Sequence, residues 1–171
     1  MSLASSDMFI LLKAKDIGLG TSAVILLYVL YNVVYSAASL PLGGLSDRIG
    51  QYPLVIAGYG VFAVVYVGFA GAGSGLALAG LFAVYGLYIA ATEGTSKALI
   101  GRAIPTGERA SALGLYYTAT GLASFAASTT GGLLWSAVGP WATFVFGAAA
   151  ALAAAALMLL GRGKVRRALA A

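Results

Sequence analysis

An acidic residue inside a long apolar segment is followed four positions later by a basic residue. Glu93 precedes Lys97, and on a helix this spacing places both side chains on one face. Within a membrane segment, such an acid could carry a proton or act as the counter-ion of a substrate. Counting from Leu76 at 1.5 Å per residue places Glu93 roughly 26 Å along a core about 30 Å thick. We therefore favour an ion pair at a gate over a deep proton site.

Other reactive side chains are scarce. The chain has no cysteine and no histidine, so it lacks disulfides, thiolate ligands, the usual general base and the commonest metal ligand. We predict that it is not an enzyme and that it binds no metal and no cofactor. A membrane-embedded enzyme is the least favoured hypothesis, because its catalytic groups would have to be assembled without either residue type.

The composition indicates a protein that lies in lipid. Hydrophobic residues make up 61% and charged residues 9% of the chain, whereas about a quarter of a soluble domain is charged. A spanning helix needs about 20 apolar residues. The uninterrupted apolar runs exclude the short alternating strands of a membrane barrel and predict an all-α integral membrane protein. Five stretches are long enough to span, approximately Thr21 to Leu40, Pro53 to Ala72, Leu76 to Ala98, Ala110 to Trp135 and Trp141 to Leu160.

The basic residues predict the orientation of this bundle. When the five stretches are threaded back and forth, most lysines and arginines fall on one side, and Lys13 and Lys15 fall on the other. The positive side is expected to be cytoplasmic, which places the N-terminus outside and the C-terminus inside. The net charge of +5 then reflects topology, and we expect no nucleic-acid partner. We divide the chain into an outward-facing segment with the end of a truncated helix (1–20), a five-helix bundle (21–161) and a basic cytoplasmic tail (162–171).

Polar side chains form stripes on three of the five predicted spans. Because polar groups facing lipid are costly, these stripes should face the bundle interior or a water-filled cavity. A single serine or threonine in a membrane helix more often contributes to helix packing than to ligand binding. The spans beginning at Pro53 and Trp141 have weaker stripes, and we predict that they are peripheral. The candidate substrate-cavity residues are Asn32, Tyr35, Tyr85, Tyr88, Tyr117, Thr120 and Ser124.

A short motif lies between the first two spans and consists of Gly43, three residues, Asp47-Arg48, one residue and Gly50. We expect it to be a cytoplasmic loop after Pro41. The motif resembles the signature of the major facilitator superfamily. In that family the signature lies between helices two and three and is often repeated between helices eight and nine. Gln51 and Tyr52 replace its usual basic residues, which is typical of the degenerate second copy.

The segment from Tyr85 to Gly114 is also similar to the tenth helix, the following loop and the start of the eleventh in drug- and metabolite-exporter-like members. The resemblance covers nearly the whole chain and implies a partial C-terminal six-helix bundle. In this bundle the five spans would be helices eight to twelve, preceded by an N-terminal stub from the end of helix seven.

The resemblance implies a secondary active transporter that moves a small molecule across a plasma membrane of the bacterial type by alternating access. Asp47 would meet a helix of the other half, and Arg48 would help to hold the inner gate closed. Transport would require an N-terminal half or a second copy of the chain, and proton coupling would be consistent with the family. An efflux direction is implied only by the exporter-like members.

Two alternatives remain open. The chain could be a non-transporting membrane fragment, or a regulatory or assembly subunit that packs against other helices through small residues. Asp47 and Arg48 could also be an exposed pair that fixes topology and contributes little energy.

Overall fold

The computed structural model describes the backbone of residues 7–103 and 106–168, with side chains except at 94, 96–103, 106 and 162–168. These residues form long helices joined by short turns, and no strand occurs within the described ranges. The helices are α1 (Met8–Asp16), α2 (Thr21–Ile49), α3 (Gln51–Gly71), α4 (Gly75–Ala103), α5 (Arg109–Ala137) and α6 (Pro140–Ala168), with a 3₁₀ turn at Thr106–Glu108 before α5. The predicted all-α class is confirmed.

Four helices in the described part of the chain are long and apolar enough to cross a membrane. They are α2, α3, the Gly75–Glu93 part of α4, and α6 through Gly161. The remaining predicted span, Ala110 to Trp135, corresponds to α5, which is 29 residues long but is absent from this set. Its many serines, threonines and glycines lower its hydropathy. Helix length and composition therefore support four of the five predicted spans.

Aromatic side chains fill the centre of the bundle. Phe62 and Tyr66 stack on α3 with ring centroids 3.9 Å apart, and Tyr66 meets Phe144 of α6 edge to face at 5.5 Å. Phe62 also lies 4.9 Å from the Tyr88 ring of α4. Although α3 was predicted to be peripheral, it packs between α4 and α6, and its Phe62, Tyr66 and Phe69 rings are completely buried.

The backbones of α2 and α4 approach each other closely at Gly86. A Cβ atom on Gly86 would lie 2.6 Å from the main-chain oxygen of Tyr31 and 3.2 Å from the nitrogen of Tyr35. No side chain fits in that space, so glycine lets the two backbones meet. This contact fixes α2 against α4 halfway along both helices.

The signature motif does not form the predicted loop. Helix α2 continues through Pro41 to Ile49, so Gly43, Asp47 and Arg48 lie in its last two turns. Proline removes one backbone hydrogen bond from a helix, and neighbouring groups in membrane proteins can compensate for that loss. The chain turns only at Gly50, whose φ of +92° is accessible chiefly to glycine.

Candidate functional site

A polar cavity of about 320 Å³ lies between α2, the start of α3 and α4. Its walls combine the signature motif with polar residues from all three helices. The lining residues are Tyr35, Ser39, Gly43, Ser46, Asp47, Gln51, Ala90 and Thr95. The cavity thus brings Tyr35, a predicted substrate-cavity residue, together with Gly43 and Asp47 of the predicted gate motif.

The helical register of α2 places one residue from each turn against this cavity. Tyr35, Ser39, Gly43 and Ser46 recur at three or four residues, which is the spacing of one helix face. The hydroxyl of Ser39 donates to the carbonyl of Tyr35 at 2.6 Å, so this serine remains satisfied inside the helix. A carboxylate at the end of such a polar face can accept hydrogen bonds from a ligand or from another helix.

Five lining residues were not among the predicted site residues, namely Ser39, Ser46, Gln51, Ala90 and Thr95. Ser46, Gln51 and Thr95 are all buried, and of these only Gln51 had been discussed, as a departure from the family motif. The i, i+3 spacing of Gly43 and Ser46 was the available signal for Ser46. Nothing in the sequence indicates that Thr95 of α4 lies beside them, because that proximity depends on how α4 packs against α2.

The remaining signature residues lie at the exposed end of α2. Asp47, Arg48 and Gly50 are accessible, and Asp47 also has an interaction within the protein. The two departures from the family signature point inward instead. Gln51 is buried, and the hydroxyl of Tyr52 donates a hydrogen bond to the main-chain carbonyl of Met158 on α6. At two positions that are usually basic in the family signature, this chain therefore has residues that anchor the turn to the bundle.

Two predicted cavity tyrosines lie in the packed core. Tyr85 and Tyr88 are each 2% exposed, with ring centroids 5.6 Å apart. The hydroxyl of Tyr85 donates a hydrogen bond to the carboxylate of Asp7 at the start of α1. Asp7 was not among the predicted site residues, because the apolar run after it is too short to span and the segment was interpreted as outward-facing.

Asn32 lies in a different place, on an open face of α2. Its side-chain amide donates to the carbonyl of Tyr28 at 2.8 Å. A shallow groove of about 440 Å³ runs along this face and is lined by Tyr28, Val29, Asn32, Val33, Ser36 and Ala37. Asn32 is therefore available to this groove and does not line the polar cavity near Asp47.

The candidates on α5 are separated from both of these spaces. Tyr117 is 53% exposed, Ser124 is exposed, and Thr120 is half-buried. The hydroxyl of Thr120 donates to the carbonyl of Tyr117 at 3.0 Å, within the same helix. Their role in a substrate cavity remains a prediction.

The predicted gate pair can be located only in part. Glu93 is half-buried on α4 and has an interaction within the protein. Lys97 belongs to the same helix, but its side chain lies outside the described part of the chain. The proposed contact between them therefore remains a prediction.

Comparison with known proteins assigns the family. The profile of the Major Facilitator Superfamily matches residues 1–170. An uncharacterised MFS-type transporter of Methanocaldococcus jannaschii is 39% identical over 160 residues, which cover 90% of this chain and 40% of that relative. No solved structure matches the chain at a significant level. The family resemblance of the Asp47-Arg48 motif thus extends along the whole sequence, and the chain belongs to the Major Facilitator Superfamily.

Proposed function

We propose that this chain is a C-terminal portion of a secondary active transporter that moves a small molecule across the plasma membrane by alternating access. The observation that carries the proposal is the position of Gly43 and Asp47 in the wall of a polar cavity between α2 and α4. In transporters built from two halves, the substrate site lies between them and each half moves largely as a rigid body.

The packing of the bundle supports movement as one body. The rings of Phe62, Tyr66 and Phe144 connect α3 to α6, and Gly86 connects α4 to α2. Interiors packed in this way deform little, so displacement at one end is transmitted to the other. The polar cavity and the open groove of α2 supply surfaces that a partner half would complete.

A partner is part of this proposal. The chain spans 40% of the length of the Methanocaldococcus relative, and one bundle supplies one wall of a pathway. We propose that an N-terminal half, or a second copy of the chain, supplies the other wall. In that assembly Asp47 would contact the opposing half when the cytoplasmic side is closed.

Alternating access can be tested without knowing the substrate. The chain has no cysteine, so single-cysteine variants can be labelled cleanly with a membrane-impermeant maleimide. Ser36→Cys reports on the open groove of α2, and Val64→Cys on α3 is a control at an exposed apolar position. Both would be reconstituted in liposomes, alone and with the N-terminal half of a full-length family member.

The transporter proposal predicts that Ser36→Cys is labelled from both sides of the membrane and Val64→Cys from neither. Adding Asp47→Asn should change the ratio of inside to outside labelling at Ser36→Cys, because the substitution weakens one closed state. A non-transporting subunit would leave Ser36→Cys labelled from one side at most in every combination. That result, with no effect of Asp47→Asn, would contradict the proposal.

A further inference from the structure

A carboxylate from α1 meets a tyrosine hydroxyl that emerges from the core. Tyr85 is almost completely buried, yet its hydroxyl donates a hydrogen bond to Asp7, whose side chain is exposed on the open side of the bundle. A neutral hydroxyl orients a carboxylate without cancelling its charge. This hydrogen bond therefore holds the carboxyl group of Asp7 in a defined position on the accessible surface.

The contact between Asp7 and Tyr85 lies near the middle of the hydrocarbon core. Helices α1 and α4 have one end in common, because a Cβ atom on Gly75 would lie 3.5 Å from Leu19 in the turn after α1. Counting from Gly75 to Tyr85 gives about 15 Å, and the nine residues of α1 give about 14 Å. Both distances are near half of a hydrocarbon core about 30 Å thick.

Lys13, the basic residue nearest to Asp7 in sequence, has a different partner. The Nζ of Lys13 lies 3.3 Å from a carboxylate oxygen of Asp16, three residues farther along α1. The hydroxyl of Tyr85 on α4 contacts Asp7, and Tyr31 of α2 and Tyr88 of α4 are near enough to interact with it electrostatically. The described protein groups near the carboxylate are thus tyrosine rings and hydroxyls, and its other side is accessible.

These rings continue to the open face of α2. Tyr31 meets Tyr85 edge to face at 5.8 Å, and Tyr28 meets Tyr31 in the same way at 5.3 Å. Tyr28 is 45% exposed and lines the groove that also contains Asn32. An uninterrupted series of aromatic side chains therefore connects the carboxylate to an accessible, mostly apolar groove.

We propose that Asp7 and the adjacent tyrosines form a binding site for a lipophilic organic cation. The carboxylate would pair with the positive charge, the ring of Tyr28 would contribute a cation–π contact, and the α2 groove would take the apolar part. Keeping a carboxylate charged at this depth is costly, and a cationic ligand offsets the cost. This inference rests on the proposed transport function and specifies the substrate class.

The test uses the complete chain in detergent, with radiolabelled tetraphenylphosphonium as the probe and equilibrium dialysis as the measurement. Asp7→Asn removes the charge and keeps the shape, whereas Tyr85→Phe removes only the hydroxyl. Asp16→Asn removes a carboxylate from the same helix and serves as the matched control. Size-exclusion profiles and circular dichroism would establish that each variant is folded.

We expect Asp7→Asn to weaken tetraphenylphosphonium binding by about tenfold or more, since a charged partner is lost. Tyr85→Phe should weaken it less, and Asp16→Asn should bind like the unaltered chain. Equal affinity in folded Asp7→Asn and in the unaltered chain would overturn the proposal, as would equal losses in Asp7→Asn and Asp16→Asn. A carboxylate that only carries protons would give the first of these results.

This outcome is separable from that of the transport proposal. Binding that depends on Asp7, combined with labelling of Ser36→Cys from one side only, would retain the cation site and reject alternating access. Labelling from both sides, combined with binding independent of Asp7, would do the reverse.

Discussion

The main-chain oxygen of Tyr31 lies 2.6 Å from the position that a Cβ atom on Gly86 would occupy. The backbones of α2 and α4 therefore meet where a methyl group is enough to separate them. This contact lies beside the Tyr31 and Tyr85 rings, so the spacing of these helices also determines the geometry around Asp7.

Gly86→Ala should destabilise the bundle. The added methyl group would push α2 away from α4, and overpacking of this kind typically costs about 1–3 kcal/mol. Gly80→Ala is the matched control, because a Cβ at that position on the same helix meets nothing within 4 Å. Thermal unfolding in detergent should show a lower midpoint for Gly86→Ala and an equal or higher midpoint for Gly80→Ala. Equal midpoints for Gly86→Ala and the unaltered chain would contradict the close contact.

Tyr52→Phe should loosen the turn between α2 and α3. The substitution removes the hydroxyl that donates to the carbonyl of Met158 and keeps the ring. Hydrogen bonds between membrane helices contribute about 0.6 kcal/mol on average, with values up to about 1.7 kcal/mol. Tyr117→Phe is the control, since Tyr117 is 53% exposed on α5. Limited proteolysis at the α2–α3 turn should proceed faster in Tyr52→Phe alone; equal rates in both variants would count against an anchoring role.

Gly43→Leu should impair function while leaving the fold intact. A Cβ at Gly43 or at Gly44 meets nothing within 4 Å, and replacing glycine by leucine inside a helix is favourable by about 0.8 kcal/mol. Only Gly43 lines the polar cavity near Asp47, so a large side chain there would block closure against a partner half.

Labelling of Ser36→Cys in liposomes provides the readout for this pair. Gly43→Leu should abolish labelling from one side, whereas Gly44→Leu should behave like the unaltered background. Thermal midpoints of both variants should be equal to or above that of the background. If Gly43→Leu and Gly44→Leu gave the same labelling pattern, the cavity would have no part in closure.

Much of this architecture follows from the sequence because its causes are local. Long apolar runs must form helices in lipid, since every backbone polar group has to be satisfied within its own segment. The helix boundaries follow less reliably: Pro41 suggested an end, yet α2 continues to Ile49. Once α2 is helical, the spacing of Tyr35, Ser39 and Gly43 places them on one face.

The sequence by itself determined the helical class, the polar face of α2 and the family signature. Only the tertiary structure decided that Asp7 meets Tyr85, that Thr95 lies beside Asp47 in the cavity wall, and that Tyr52 anchors the turn to α6. Helix periodicity arises from interactions within a few residues, so it can be derived from one segment. These other relationships depend on how helices distant in sequence pack together, and small residues such as Gly86 determine which backbones can approach.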